Sequence, residues 1–344
     1  MFAGLVTVDG RAATLGFNTI QGKTYVVESG TDLHGWIALT TPWVGDGTRH
    51  IRSTPENDKG LFYRVRVTSS FDFEQLSLRP NADISDLKAS FDVASWKSTA
   101  MEVLRRTCPD AAWLVDADAD PGFFQFWFNG GPKDFTQLLL SLSTAVHETI
   151  HHVGFKRLGF EAGGLVYHLA LGSDRFFPVR DLHLFPRSEI LGRLPPGLRT
   201  SGYANTYLVG QSGTQDLRTL LDELNAYTFS GLMDASLIRE MDGIASISSR
   251  DGILTFMLYA ETYLKTARES HAANYQKILT SNLPDLMVLL WDRAERTLML
   301  SEGNPRLGQD DATIQSSVYD RDNLAEIDRL RALVLPKLEI GTGR

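Results

Sequence analysis

The sequence predicts a multidomain chain, in which a small all-β sandwich is followed by a larger, mainly helical α+β domain. Three observations support this fold class. The chain has 344 residues, which is more than a single hydrophobic core usually serves. Apolar residues alternate with polar ones in residues 3–68, whereas they recur at helical spacing after residue 83. We place the two domains at residues 1–69 and 70–344, with a linker at 69–81.

Short strands separated by turn residues are predicted in the first domain. Glycine-containing turns interrupt the alternating pattern at residues 22–23, 30–32 and 45–47. The predicted strands are residues 12–18, 24–29, 35–39, 48–53 and 61–67. An antiparallel sandwich is the natural way to bury one face of such strands.

The first seventy residues also contain a recognisable order of residue types. The order is formed by Phe17-Asn18, Gly22-Lys23-Thr24-Tyr25-Val26-Val27-Glu28-Ser29, Thr31-Asp32-Leu33, Trp36 and Phe62-Tyr63-Arg64-Val65. It resembles a fibronectin-type-III-like accessory module of bacterial extracellular proteins. The resemblance implies a secreted or extracytoplasmic bacterial protein, although residues 1–6 do not have the form of a signal peptide.

Composition excludes several classes of partner. The net charge is −8 and no basic block offsets it, so we expect no nucleic-acid partner. No apolar run is long enough to predict a membrane span. The single cysteine, Cys108, excludes an internal disulfide framework. The oligomeric state is not indicated.

Several elements are predicted between the linker and the next long helix. Residues 84–106 read as helical, and Pro109 ends that region. Residues 111–115 read as a strand, and the acidic run 116–122 as a solvated turn, with a calcium loop as the alternative. The aromatic run 123–128 is predicted to be a strand, and 129–132 a turn.

The motif that carries the chemistry is His147-Glu148-Thr149-Ile150-His151, within the apolar helical run 138–155. Histidines four residues apart on a helix lie one turn apart on the same side, so both imidazoles can bind one Zn²⁺. Glu148 can then act as general base for a metal-activated water. The pattern therefore predicts a zinc hydrolase.

The motif resembles that of the zincin metallopeptidases, and Gly154 extends the match toward the metzincin group. Metzincins take their third ligand from a histidine at the position of Arg157, and a guanidinium does not bind metal. The resemblance therefore points to the gluzincin group instead, in which a glutamate on a later helix completes the site. In zincins a strand ahead of the motif helix pairs with substrate, which is the role implied for residues 123–128.

The third ligand is assigned to Glu223, on a helix predicted from Ser212 to Gly231. Tyr227 lies one turn further on the same side and is a candidate catalytic hydroxyl. Rival third ligands are Asp222, His168, His183 and Asp174.

The long connection 155–211 is expected to form a wall or lid over the site, in which Tyr203 and Tyr207 are further hydroxyl candidates. Three later amphipathic stretches, residues 252–264, 285–300 and 323–334, are predicted to be scaffold helices.

These features together predict a zinc metallopeptidase acting on protein or peptide substrates. Glu148 would take a proton from the attacking water and return it to the leaving amine. Two alternatives stay open at this point. One is an inactive zincin-like protein that serves in binding or adhesion, and the other is a zinc hydrolase of a non-peptide amide.

Overall fold

The computed structural model describes seven strands within residues 5–68 and then residues 82–118, 120–161, 164–237, 239–240, 248–301 and 305–339. The chain divides into two compact units. The first unit comprises Met1–Glu74 with Arg331–Arg344, and the second comprises Gln75–Leu330. The predicted linker lies outside the described residues.

The first unit contains antiparallel strands. They are β1 (Leu5–Asp9), β2 (Ala12–Asn18), β3 (Thr24–Gly30), β4 (Ile37–Ala38), β5 (Trp43–Val44), β6 (Arg49–Ser53) and β7 (Phe62–Thr68). One sheet has the order β1-β2-β6, and in the other β3 pairs with β4, β5 and β7. Each predicted strand coincides with an observed one, whereas β1 and β5 were not predicted.

A small apolar cluster accounts for this arrangement. Leu15 of β2 is buried with Tyr25 and Val27 of β3, and Tyr63 and Val65 of β7 pack against them. Tyr25 and Val27 are alternate residues of one strand, so both point to the same face. Trp36, which belongs to the recognised residue order, lies outside the described residues.

The second unit is mostly helical. Its helices before the sheet are α1 (Ser85–Ala89), α2 (Trp96–Thr107), α3 (Pro109–Ala117), α4 (Pro121–Phe126) and α5 (Phe135–Lys156). The later helices are α6 (Gly202–Tyr207), α7 (Leu217–Ser236), α8 (Ser249–Ser270), α9 (Ala272–Thr280), α10 (Leu283–Ser301), α11 (Asp311–Val318) and α12 (Arg321–Glu339), the last of which continues past Leu330. Among the described residues, no helix has the length and apolarity needed to cross a membrane.

Helix α5 lies in the main core. It begins after Asp134, whose carboxylate accepts a hydrogen bond from the Gln137 backbone N–H at 2.8 Å. Leu142, Val146 and Ile150 recur at helical spacing and are buried in a cluster that also contains residues of α2, α3 and α7. The apolar stripe read from the sequence is therefore the face that packs.

A three-stranded antiparallel sheet follows α5. It consists of β8 (Gly159–Glu161), β9 (Gly164–Gly172) and β10 (Arg175–Arg180), with β9 in the centre. A Cβ atom at Gly154 would lie 2.6 Å from the carbonyl oxygen of His168 in β9, so this glycine lets the strand lie directly against α5. Asn225 of α7 donates a hydrogen bond to the Ala170 carbonyl at 2.8 Å.

Two predicted strands are wrong. Residues 111–115 lie in α3, and most of the aromatic run 123–128 lies in α4. Asp120 caps α4 by accepting a hydrogen bond from the Gly122 backbone N–H at 3.1 Å. Phe124 and Phe128, one helical turn apart, are buried, whereas Phe126 is 68% exposed. The aromatic residues are therefore buried at helical spacing, and not at the two-residue spacing of a strand.

The predicted bounds of the second site helix are also wrong. Helix α7 begins at Leu217, because Asp216 caps it by accepting a hydrogen bond from the Arg218 backbone N–H at 3.1 Å. It continues past Gly231 to Ser236. A Cβ atom at Gly231 would lie 2.8 Å from Cδ1 of Ile253, so this glycine permits close packing of α8 and does not end the helix.

Candidate metal centre

His147 and His151 lie one turn apart on α5 and turn their imidazoles toward one point. Their Nε2 atoms are 3.2 Å apart, and the two side chains are 11% and 22% exposed. When both rings carry their proton on Nδ1, two lone pairs face each other at this distance. A metal ion satisfies that arrangement, because each nitrogen then donates its lone pair to the ion.

Glu223 of α7 brings a carboxylate to the same point. Its Oε2 atom lies 3.4 Å from Nε2 of His147 and 3.4 Å from Nε2 of His151. The atom is buried, and it has no hydrogen-bond partner among the residues that the structure describes. His147, His151 and Glu223, here called the metal-site group, could therefore hold a metal ion.

The distances within the metal-site group fit a specific coordination geometry. Zinc binds nitrogen and oxygen at about 2.0–2.1 Å with tetrahedral angles, which places neighbouring ligand atoms about 3.3 Å apart. The observed separations are 3.2, 3.4 and 3.4 Å. The three donor atoms thus form a nearly equilateral triangle that could hold a metal ion.

Asp222 contacts His151 on the ring nitrogen that faces away from the metal-site group. Its Oδ2 atom lies 2.8 Å from Nδ1 of His151. Since a carboxylate accepts, Nδ1 donates the hydrogen bond and Nε2 presents its lone pair to the group. The sequence had offered Asp222 as a rival third ligand, but the structure places it as the partner of a histidine.

Charge interactions within the group shift two pKa values. Burial opposes the charged imidazolium of His151, but Asp222 and Glu223 outweigh burial and raise its pKa well above the ordinary value. Burial likewise opposes the carboxylate of Glu223, but the two imidazoles outweigh burial and lower its pKa to about 2. Without metal, the protein therefore favours a protonated His151 beside an ionised Glu223.

A buried arginine lies beside Glu223. Arg187 is 2% exposed, and its Nη1 donates a hydrogen bond to Oγ1 of Thr219 at 3.0 Å. Thr219 precedes Glu223 by one turn of α7, so the guanidinium lies next to the metal-site group. Its Nε donates to the carbonyl oxygens of Tyr207 and Ser212 at 2.7 and 3.0 Å. Arg187 was not predicted as a site residue, since nothing in the sequence beside it distinguishes it from a surface arginine.

Tyrosine rings line the other side of the group. The ring of Tyr227 meets that of His147 edge to face at 4.5 Å, and its hydroxyl lies 3.4 Å from that of Tyr207. Tyr203 packs beside both rings, at 6.0 and 6.3 Å. Burial raises the pKa of all three phenols, so these residues are hydrogen-bond donors at neutral pH.

Two further residues complete the surroundings. Glu148 is half-buried on α5, and its charge contributes to the raised pKa of Tyr207, after burial and Glu223. A Cβ atom at Gly252 would overlap Cδ1 of Tyr227, so this glycine lets α8 support the tyrosine ring.

The other candidate residues lie outside the metal-site group. The ring of His168 contacts the Arg157 carbonyl through Nδ1 at 2.9 Å. Asp174 is an exposed turn residue with a positive φ of 52°, and the His183 side chain is 86% exposed. None of the three joins the group among the described residues.

The acidic run 116–122 is tied to the helix that carries the histidines. Asp118 lies 2.8 Å from Nδ1 of His152, and the ring of Phe123 stacks on His152 at 3.9 Å. The carboxylate of Asp118 is thus buried and engaged within the protein. The prediction of a solvated turn is therefore wrong at Asp118, and the two ends of the run belong to α3 and α4.

Comparison with known proteins adds no family assignment. No protein-family model, curated protein or solved structure shows significant similarity to this chain.

Proposed function

We propose that this protein is a zinc-dependent hydrolase that cleaves peptide bonds. The observation that carries the proposal is the tetrahedral spacing of the three donor atoms, at 3.2, 3.4 and 3.4 Å. Two histidines and one glutamate are a common ligand set of catalytic zinc, because they leave one coordination position for water. Structural zinc sites, by contrast, supply all four ligands from the protein.

The proposed roles follow from position and chemistry. His147, His151 and Glu223 would hold Zn²⁺, which when bound supplies a Lewis acid and lowers the pKa of a water molecule. Glu148 accepts the proton of the attacking water and passes it to the leaving amine. Tyr227 donates a hydrogen bond to the substrate carbonyl oxygen as negative charge develops there.

A peptide substrate is proposed because of the resemblance to gluzincins, which rests on the HExxH motif and a glutamate on a later helix. One expected feature of that resemblance is missing. The run 123–128 is largely helical, so it does not offer a strand edge to a substrate.

Metal analysis is the first test. The purified protein should contain one zinc per chain after mild dialysis, and His151→Ala should lose it. His183→Ala is the matched control, because His183 is exposed and lies outside the metal-site group. A wild-type protein without stoichiometric zinc would contradict the proposal.

Hydrolysis is the second test. Glu148→Gln should keep its zinc and lose the cleavage of a peptide library, whereas Glu161→Gln, a change at an exposed carboxylate, should retain both. Equal activity in Glu148→Gln would remove that residue from the role of base. If the zinc-loaded protein cleaved only non-peptide amides, the alternative substrate class would replace peptides. If it cleaved nothing, the binding-protein alternative would be favoured.

The proposal extends to location and to the first unit. We propose an exported bacterial protein whose residues 1–69 form a fibronectin-type-III-like β-sandwich, and the residue order described above supports it. Fractionation of the source cells tests this point, since a cytoplasmic protein would contradict it.

A further inference from the structure

Arg187 joins three segments of the second unit beside the metal-site group. Its buried guanidinium donates through Nε to the carbonyl oxygens of Tyr207 and Ser212, at 2.7 and 3.0 Å. Its Nη1 donates to Oγ1 of Thr219 at 3.0 Å. Tyr207 is the last residue of α6, whereas Thr219 lies in the first turn of α7. One side chain therefore fixes the end of α6 against the helix that carries Glu223.

Helix α6 depends on such contacts for its position. It has six residues, and a helix of this length is not stable in water by itself. The Tyr207 carbonyl is one of the last carbonyls of α6, which have no partner within the helix. The ring of Tyr207 also meets that of Phe256, in α8, edge to face at 4.8 Å. The hydrogen bond from Arg187 and this ring contact together set where the Tyr207 side chain lies.

The position of Tyr207 matters because its hydroxyl lies 3.4 Å from that of Tyr227. Either hydroxyl can donate a hydrogen bond to the other. The hydroxyl of Tyr203, the third phenol beside the metal-site group, donates instead to the carbonyl oxygen of Ser248 at 3.1 Å. Its proton is thereby engaged, so Tyr207 is the neighbouring phenol that can donate to Tyr227.

We propose that Arg187 is a positioning residue, which holds Tyr207 so that the Tyr207 hydroxyl donates a hydrogen bond to Oη of Tyr227. The proton of Tyr227 is then available to the substrate carbonyl oxygen. A hydroxyl that accepts one hydrogen bond is also a stronger donor of its own. The inference rests on the proposed function for the role of Tyr227, whereas the alignment of the two hydroxyls is a property of the protein without substrate.

¹³C NMR tests the alignment without measuring activity. The full chain is labelled at Cζ of tyrosine, and the resonance that Tyr227→Phe removes is assigned to Tyr227. This resonance should move in the same direction in Tyr207→Phe and in Arg187→Met, because each change removes the hydrogen bond to Oη. Arg199→Met is the matched control and should leave the resonance unmoved, since exposed Arg199 also donates through Nε to a backbone carbonyl, that of Leu194 at 2.7 Å.

Kinetics test the consequence for the proposed reaction. Tyr207→Phe and Arg187→Met should each lower kcat for peptide cleavage by about tenfold, the effect of one lost hydrogen bond, and leave KM unchanged. This is less than the fall of about 10²–10³ expected when the donor to the oxyanion is itself removed. The double variant should lose no more than either single variant, because both changes break the same hydrogen bond. A purely structural role of Arg187 would give additive losses.

A milder variant keeps the test decisive if Arg187→Met does not fold. Thr219→Val removes the acceptor of Nη1, so it should move the Tyr227 resonance and lower kcat in the same directions by smaller amounts. An unmoved resonance in Tyr207→Phe, or additive losses when either variant is combined with Tyr207→Phe, would overturn the proposal. If the resonance moves as expected but the wild-type protein cleaves no peptide, the hydrogen bond is supported and the proposed hydrolysis is contradicted.

Discussion

The carboxylate of Asp222 lies 2.8 Å from Nδ1 of His151, while the carboxylate of the next residue, Glu223, lies 3.4 Å from Nε2 of the same ring. Two consecutive residues of α7 thus contact the two nitrogens of one imidazole. The contact at Nδ1 orients the ring, and the contact at Nε2 lies where a metal ion would be shared.

Asp222→Asn is expected to weaken zinc binding without abolishing it. The amide can still accept a hydrogen bond, but it no longer offers a negative charge to the His151 ring, and losses at such positions are roughly 10–100-fold in affinity. Competition with a zinc-sensitive dye measures the change. Asp174→Asn, at an exposed turn residue, is the control, and equal affinity in the two variants would show that Asp222 has no such role.

The metal-free protein should lose stability as pH rises. His151 titrates at 6.5 when it is unperturbed, and the folded protein raises its pKa despite burial, because Asp222 and Glu223 favour the charged ring. The resulting stabilisation is complete below pH 6.5 and is lost as pH rises through the folded-state pKa. Zinc-loaded protein should show the opposite trend, since the ligands must be deprotonated.

Thermal unfolding across pH, with and without EDTA, measures both trends. His151→Asn should flatten the metal-free curve above pH 6.5, whereas His183→Ala should leave it unchanged. Parallel curves for the metal-free and zinc-loaded proteins would contradict the arrangement described for His151.

Gly154→Ala is expected to destabilise the second unit by about 1–3 kcal/mol, the usual cost of forcing an extra carbon into a packed core. The added Cβ would lie 2.6 Å from the His168 carbonyl oxygen, so α5 and β9 would have to separate. Gly192→Ala is a suitable control, because nothing lies within 4 Å of a Cβ there. Denaturant unfolding compares the two, and equal midpoints would contradict the close contact.

Tyr227→Phe should retain zinc and fold normally, yet lower kcat by about 10²–10³ if its hydroxyl stabilises the developing oxyanion. The ring contact with His147 at 4.5 Å is kept by phenylalanine, which isolates the hydroxyl. Tyr275→Phe, a change at a half-buried tyrosine of α9, serves as the control. A fall in zinc content in place of the fall in kcat would assign Tyr227 to support of the ligand instead.

Local sequence patterns were sufficient to predict the histidine pair and the buried faces of α5 and β3. The spacing of His147 and His151 follows from helix geometry alone, because a four-residue interval brings two side chains to one side of any α-helix. The apolar stripe of α5 and the alternation of β3 are likewise local, and both are confirmed as buried faces. Arg157 could be excluded as a metal ligand from the sequence, because a guanidinium has no acceptor atom to offer to a metal ion.

At two places, the local sequence suggested one structure and the packing of side chains favoured another. The aromatic run at residues 123–128 suits a strand by propensity, but the Asp120 cap and the burial of Phe124 and Phe128 at helical spacing favour a helix. Gly231 suits the end of a helix, but the close approach of Ile253 explains it as a packing residue inside α7. The Asp120 cap is a local signal that could have predicted the first outcome, whereas the second depends on a residue distant in sequence.

By itself the sequence determined the two histidines, the candidate base Glu148 and the chemistry that they favour, since these follow from spacing within one helix. The tertiary structure decided which distant carboxylate approaches them. Glu223 and Asp222 are adjacent and chemically similar, and only the rotation of α7 against α5 turns one toward the shared point and the other toward Nδ1 of His151. Arg187 shows the same dependence, because the burial of a charged side chain is decided by packing between distant segments and not by the residues beside it in the sequence.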